Sequence, residues 1–128
     1  MMTEPTNGGM PVLVVDDDSD IREAMVEILE AAKYPVVSAA DGQEALTLLA
    51  GGLVPGLILL DLMMPVVDGF EVLARMSKQP SFARIPVVAL SASRDISKAL
   101  NAGAVAVLSK PYELTALREL VRLHLRKA

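Results

Sequence analysis

The sequence contains no cysteine and no tryptophan, and it has only two tyrosines and two phenylalanines in 128 residues. The absence of cysteine excludes a disulfide scaffold and a thiolate metal site. It also fits a reducing compartment, and we expect the cytoplasm. Since aromatic side chains are so scarce, the core must be aliphatic. Apolar residues make up 52% of the chain, which is enough for a full core at this length.

Long apolar runs and an excess of positive charge are also missing. No run is long enough to span a membrane, and the first ten residues lack the basic start and apolar stretch of a secretory signal. We interpret residues 1–10 as a flexible N-terminal lead and residues 11–127 as one domain. The net charge of −4 gives no electrostatic reason to expect a nucleic-acid partner.

Five short apolar runs alternate with longer segments of helical periodicity. The runs cover residues 11–15, 36–39, 57–60, 87–90 and 105–108. Several are apolar at every position, which indicates strands buried on both faces by covering helices. The pattern predicts an α/β fold, a doubly wound, flavodoxin-like (βα)5 domain with one five-stranded parallel sheet and helices on both faces.

Two acidic pairs predict where helices begin. Asp20 precedes Glu23 by three residues, and Asp41 precedes Glu44 by the same interval. Both pairs have the spacing of a capping box, in which a side chain at the start of a helix accepts a hydrogen bond from the first turn. We therefore expect helices to start at Asp20 and Asp41.

Polar residues follow four of the five predicted strands. They are Asp16, Asp17 and Asp18 after the first run, Asp61 after the third, Ser91 after the fourth, and Ser109 and Lys110 after the fifth. Sites in open α/β sheets form outside the carboxyl ends of the strands, so we expect these groups to meet at one edge. Taken singly, each has an ordinary explanation, such as helix capping or a surface position.

Carboxylates packed into one pocket repel each other unless a cation joins them. A set of oxygen ligands without histidine or cysteine favours a hard ion, Mg²⁺ rather than Zn²⁺. Mg²⁺ prefers one or two carboxylates together with waters and phosphate oxygens, which leaves room for a phosphoryl group beside Ser91 and Lys110. A carboxylate can act as the nucleophile, so the pattern indicates phosphoryl transfer to Asp61.

At these residues the sequence resembles a bacterial response-regulator receiver domain of two-component signalling, in its single-domain form. The matching segments occur in order: VLVVDDD (12–18), LILLDLMMPVVDGFEVL (57–73), PVVALSA (86–92) and GAVAVLSKP (103–111). The resemblance implies that a histidine kinase or a histidine phosphotransfer protein donates the phosphoryl group and that a downstream effector protein responds. Such domains promote their own phosphorylation and dephosphorylation, and some form homodimers.

The resemblance also implies a role for each matching residue. Asp61 would accept the phosphoryl group, Ser91 would be the switch hydroxyl and Lys110 the phosphate-binding lysine. The bond before Pro111 would be cis, and Asp18 would lie outside the metal site. The implied ligands of Mg²⁺ are Asp17 directly, Asp16 through water, Asp61, and the main-chain carbonyl of Met63.

Two features depart from the family pattern. Val107 lies three residues before Lys110, where the family often has an aromatic residue that reports the signal by rotating. Any switch here must therefore work through backbone or helix movement. The segment of residues 93–103 is a few residues shorter than the family leads us to expect, which predicts a shortened fourth helix and an altered partner surface.

Two other functions remain open at this point. A Mg²⁺-dependent phosphohydrolase would form a similar aspartyl-phosphate. Such enzymes usually have a general acid just after the nucleophile and a cap over the pocket, whereas Leu62 and Met63 follow Asp61 and no insertion could form a cap. A scaffold that works without phosphorylation would normally have lost the acids that are intact here.

Overall fold

The computed structural model describes residues 10–92 and 96–126 and contains one five-stranded parallel sheet. Its strands are β1 (Val12–Val15), β2 (Val36–Ala39), β3 (Leu57–Asp61), β4 (Val87–Ser91) and β5 (Ala106–Ser109). Their order across the sheet is β2-β1-β3-β4-β5. This is the flavodoxin-like order, so the predicted fold class is confirmed. Residues 1–9 of the predicted lead and residue 127 lie outside the described residues.

Helices cover both faces of the sheet. They are α1 (Ser19–Ala31), α2 (Gly42–Ala50), α3 (Gly69–Ser77), α4 (Pro80–Ala83), α5 (Ile96–Asn101) and α6 (Leu114–His124). The one-turn helix α4 was not predicted, although a proline suits the first helical position and Pro80 marks its start. The short fourth helix expected from the sequence is α5. Within the described ranges, no helix has the length and apolar character needed to cross a membrane.

The predicted start of α1 was wrong, whereas that of α2 is confirmed. The N-cap of α1 is Asp18, whose carboxylate accepts hydrogen bonds from the backbone N–H groups of Asp20 and Ile21. Asp20 therefore already lies inside the first turn, because only a short loop separates β1 from the helix. Asp41 caps α2 as expected, and its carboxylate accepts from the Glu44 N–H at 2.7 Å.

The core consists of two apolar layers, one on each side of the sheet. Alternate residues of β1 enter opposite layers, with Leu13 packing toward α2 and α3 and Val14 toward α1 and α6. Every residue of β1, β3 and β4 is buried. The expected burial on both faces does not extend to the edge strands β2 and β5, which are mostly half-buried because each has only one neighbour in the sheet.

Candidate functional site

The parallel register brings the carboxyl ends of four strands to the same edge of the sheet. Val15 of β1 is level with Leu60 of β3, and Ser91 of β4 is level with Ser109 of β5. The polar residues that end these strands or follow them directly therefore meet at one edge. They are Asp16, Asp17, Asp61, Ser91 and Lys110.

Asp61 is the last residue of the central strand β3, and its side chain is almost fully buried, with 3% of the residue exposed. The Lys110 Nζ atom lies 3.1 Å from the Asp61 Oδ1 atom and forms a salt bridge with it. The backbone N–H of Met63 donates a hydrogen bond to the same oxygen at 3.1 Å. A buried carboxylate is costly unless it is paired, so the contacts with Lys110 and Met63 offset the burial of Asp61 and fix the direction of its side chain.

Gly69 allows helix α3 to begin directly behind Asp61. A Cβ atom at this position would lie 2.7 Å from the Leu62 Cα atom and 2.8 Å from the Asp61 carbonyl oxygen. Both distances are below any tolerable contact with backbone, so any side chain here would push the end of β3 away from the helix. Gly69 therefore helps to set the position of the Asp61 main chain.

The two acids after β1 differ in exposure and in bonding. Asp16 is 1% exposed, whereas Asp17 is exposed. One carboxylate oxygen from each of Asp16, Asp17 and Asp61 lies within 4.8 Å of the others. Asp16 Oδ1 accepts a hydrogen bond from the Asp18 N–H at 2.9 Å, but Asp16 Oδ2 is buried and lacks a hydrogen-bond partner in the described part of the chain.

The pKa of Asp16 is raised from 3.8 to about 6. Burial is the main cause and the charges of Asp61 and Asp17 act in the same direction, while the Asp18 N–H and Lys110 act in the opposite direction. The group thus combines a carboxylate that resists ionisation with a buried oxygen that has no donor. A divalent cation would relieve both conditions. The donors are all oxygen atoms, so the residues present fit a hard ion such as Mg²⁺.

Ser91 and Lys110 come from neighbouring strands and meet next to Asp61. Ser91 is 1% exposed at the end of β4, and its carbonyl oxygen accepts a hydrogen bond from the Lys110 N–H at 2.7 Å. The Lys110–Pro111 peptide bond is cis, which confirms the expectation from the family resemblance. Ser91 and Lys110 therefore lie on one side of Asp61 along the sheet edge, and Asp16 and Asp17 lie on the other.

Three further residues that the sequence placed at or near the site are Asp18, Met63 and Ser109, and each has a different environment. The carboxylate of Asp18 is used in capping α1. Met63 is 65% exposed as a residue, and its contact with Asp61 is made by its main-chain N–H. Ser109 ends β5 and is exposed. No functional role was expected of Ser109 beyond its place beside Lys110.

Tyr112 also lies near the site, although it was not among the residues expected there from the sequence. Its hydroxyl donates a hydrogen bond to the Met25 sulfur at 3.5 Å, and burial, followed by the charges of Asp16 and Asp61, raises its pKa to about 12. Together with Met25, Ile21 and Leu114 it lines an apolar groove of about 480 Å³ that opens beside Lys110. An aromatic residue two positions after Lys110 was the only sequence signal for it.

Comparisons with known proteins agree on one family. The family model described as response regulator receiver domain matches residues 12–122. The DNA-binding dual master transcriptional regulator RpaA of Synechocystis is 39% identical over 119 residues, 91% of this chain and 49% of RpaA. The probable transcriptional regulator ycf27 of Porphyridium aerugineum is 36% identical over 119 residues, 91% of this chain and 48% of that protein. The chain thus spans about half the length of these curated relatives.

Solved structures resemble the whole described fold. The chemotaxis protein CheY4 of Vibrio cholerae superimposes with a TM-score of 0.82 and 32% identity, covering 91% of this chain and 98% of CheY4. The phosphorylated cyanobacterial phytochrome response regulator RcpA superimposes with a TM-score of 0.75 and 33% identity, covering 88% of this chain and 89% of RcpA.

Proposed function

This chain belongs to the response regulator receiver domains, which are phospho-acceptor signalling modules, and we propose that Asp61 is its acceptor. The observation that carries the proposal is the state of the Asp61 carboxylate. It is buried, salt-bridged to Lys110 at 3.1 Å, and grouped with Asp16 and Asp17 within 4.8 Å. In this setting one carboxylate is held in place beside groups that can neutralise the charge of an incoming phosphoryl group.

The proposed reaction moves a phosphoryl group from a histidine of a protein donor to Asp61. A carboxylate oxygen of Asp61 forms the new P–O bond while the P–N bond to the donor imidazole breaks and its electron pair stays with the leaving nitrogen. The Lys110 ammonium, which already contacts Asp61, also has donors for a phosphoryl oxygen. The Ser91 hydroxyl binds a second phosphoryl oxygen.

We propose that Mg²⁺ is held by the carboxylates of Asp16, Asp17 and Asp61 and by the main-chain carbonyl of Met63. The bound ion supplies charge neutralisation for the phosphoryl oxygens. The Asp16 oxygen without a hydrogen-bond partner supports this assignment, because a buried carboxylate oxygen needs either a donor or a cation. The same site promotes phosphorylation and hydrolysis of the phosphorylated form.

Ser91 gives the proposed switch a route to the protein surface. It ends β4, the strand that precedes the short helix α5 in the chain, so we propose that a movement of Ser91 toward the phosphoryl group shifts α5. The face formed by α5, β5 and α6 would then bind a downstream effector protein differently, or pair in a homodimer. Since Val107 is not aromatic, this movement involves the backbone and α5 rather than a rotating ring.

The donor is proposed to be a histidine kinase or a histidine phosphotransfer protein in the cytoplasm. The apolar groove beside Lys110 supports a protein donor, because it offers surface for contact next to the phospho-acceptor. Nucleic acid and membrane are not part of the proposal.

Incubation of the protein with acetyl phosphate and MgCl₂, followed by intact-mass spectrometry, tests the role of Asp61. We expect the mass of one phosphoryl group to be added to the wild type, and chelation of Mg²⁺ with EDTA to prevent this. Asp61→Asn should remain unmodified. Asp20→Asn is the matched control, because Asp20 is an exposed acid of α1 outside the pocket.

Phosphorylation of Asp61→Asn to the wild-type extent would contradict the assignment of the acceptor. Phosphorylation of the wild type in EDTA would contradict the metal site alone. Steady release of phosphate from small monoesters by the wild type, lost in Asp61→Asn, would instead indicate a phosphohydrolase.

A further inference from the structure

Arg22 lies on helix α1, and its guanidinium returns to the acidic loop that precedes the helix. The Arg22 Nη1 atom donates a hydrogen bond to the Asp16 carbonyl oxygen at 2.8 Å. We propose that Arg22 is a positioning residue for the Mg²⁺ site, because this bond sets the direction of the Asp16 and Asp17 carboxylates. The inference rests on the metal site proposed above.

The Asp16 carbonyl lies where the sheet no longer provides partners. Pairing of β1 with both of its neighbours ends at Val15. The Asp16 N–H still reaches the Ala39 carbonyl, at a long 3.3 Å. The Asp16 carbonyl accepts from Arg22 instead, so the side chain continues the restraint of the main chain one residue beyond the strand.

The peptide group that joins Asp16 to Asp17 connects the two acids of the proposed metal site. A change in the main-chain torsion angles on either side of this peptide group would alter the directions of the two carboxylates relative to each other, one buried and one exposed. Two hydrogen bonds oppose such a change, one from Arg22 to the Asp16 carbonyl and one from the Asp18 N–H to Asp16 Oδ1. Asp18 is in turn held by capping α1, so Arg22 supplies the remaining restraint from the same helix.

Arg22 acts on the main chain and not by pairing its charge with a carboxylate. Within residues 10–92 and 96–126, Arg22 forms no salt bridge. The bond to the carbonyl is therefore the specific contact by which Arg22 affects the acidic loop.

Whether Arg22 acts through its charge or through this hydrogen bond determines the sign of its effect on Mg²⁺ affinity. A positive charge near a cation site repels Mg²⁺, so removing Arg22 would strengthen Mg²⁺ binding if only its charge mattered. If Arg22 positions the loop, its removal weakens binding, since residues that orient metal ligands typically contribute 10-fold or more to affinity. We expect Arg22→Gln to raise the Kd for Mg²⁺ about tenfold.

The Kd is measured by titrating ¹⁵N-labelled protein with MgCl₂ at constant ionic strength and following the backbone amide signals of Asp17 and Asp18. Arg118→Gln is the matched control. It removes the same charge from an exposed position on α6, next to Ala31 and Ala32 at the far end of α1. We expect its Kd to equal that of the wild type, because screening leaves little interaction beyond about 10 Å.

A Kd of Arg22→Gln equal to or below the wild-type value would overturn the proposal. If Arg22→Gln does not fold, as judged by its amide spectrum, Arg22→Met is measured in its place, since it keeps most of the aliphatic stem, and the same criterion applies. A wild-type protein without a Mg²⁺ response would contradict the metal site itself. Equal Kd values for wild type and variant would contradict the role of Arg22 alone.

Discussion

The ends of the central strands and the outer strand β5 belong to the same sheet but are restrained very differently. β1, β3 and β4 are buried throughout and have a partner on each side. β5 is half-buried to exposed along its length, and its neighbour α5 covers six of the described residues, Ile96–Asn101. The proposed acceptor Asp61 and its companions Asp16, Asp17 and Ser91 thus lie at the ends of strands that are held on both sides, and only Lys110 follows the edge strand. The surface proposed to transmit the signal lies where the chain has room to move.

Cavities made in the two regions should lower the free energy of unfolding by different amounts. Leu59→Ala in β3 removes a fully buried side chain, and we expect the free energy of unfolding to fall by about 3–4 kcal/mol. Val107→Ala in β5 removes a half-buried side chain and should cost about 1 kcal/mol. Urea unfolding followed by circular dichroism measures both. Equal losses would mean that β5 is as tightly restrained as β3.

The raised pKa of Asp16 should make the metal-free protein less stable as the pH rises. The folded state holds this proton up to about pH 6, whereas the unfolded chain loses it near 3.8, so the stabilisation present below pH 4 is lost between pH 4 and 6. The loss reaches at most about 3 kcal/mol. In EDTA, urea unfolding from pH 4.5 to 7.5 should show this decline in the wild type but not in Asp16→Asn.

Addition of MgCl₂ to the wild type serves as the control for that experiment, because a bound cation stabilises the ionised carboxylate and should flatten the decline. An identical pH dependence in wild type and Asp16→Asn would show that Asp16 is not the group responsible.

Val66 is a strained residue in the connection between β3 and α3. Its φ is +68°, a left-handed conformation that is costly for a β-branched residue, and its side chain is 98% exposed. Val66→Gly should therefore raise the free energy of unfolding by about 1 kcal/mol. Val54→Gly is the control, because Val54 is also exposed but does not have a positive φ, and it should lower stability. Losses in both variants would contradict the strain at Val66.

A weak contact joins α5 to the body of the domain. The Lys98 Nζ atom lies 4.3 Å from the centre of the Phe70 ring on α3. A double-mutant cycle with Lys98→Met and Phe70→Leu should give a coupling energy of about 0.5 kcal/mol, as expected for an exposed cation–π pair. Purely additive losses in urea unfolding would mean that the Lys98–Phe70 pair contributes nothing to holding α5 against the domain.

The strand ends were predictable because both signals they depend on are local. Uninterrupted apolar runs marked β3 and β4 to within a residue, and the residues after them had to lie at the carboxyl edge once all strands ran parallel. The start of α1 was predicted at Asp20 instead of Asp18, because Asp20 and Glu23 have the spacing of a capping box. Which acid becomes the cap depends on how soon the chain leaves β1.

Which strands lie at the edges could not be read from the runs. The run at 105–108 is as apolar as that at 57–60, yet β5 is partly exposed and β3 is central. Strand order depends on how the connecting helices pack over the sheet, which no short window of sequence contains. The contact between Arg22 and the Asp16 carbonyl could not be predicted from the sequence either, because an arginine six residues after an acid has many possible partners.

The sequence by itself determined the fold class and brought Asp16, Asp17, Asp61, Ser91 and Lys110 to one edge of the sheet, because apolar periodicity and strand direction are local properties. Only the tertiary structure decided that Lys110 contacts Asp61, 49 positions earlier in the chain, and that one buried oxygen of Asp16 lacks a hydrogen-bond donor among the described residues. These contacts depend on strand order, register and close packing, which arise when distant segments of the chain meet.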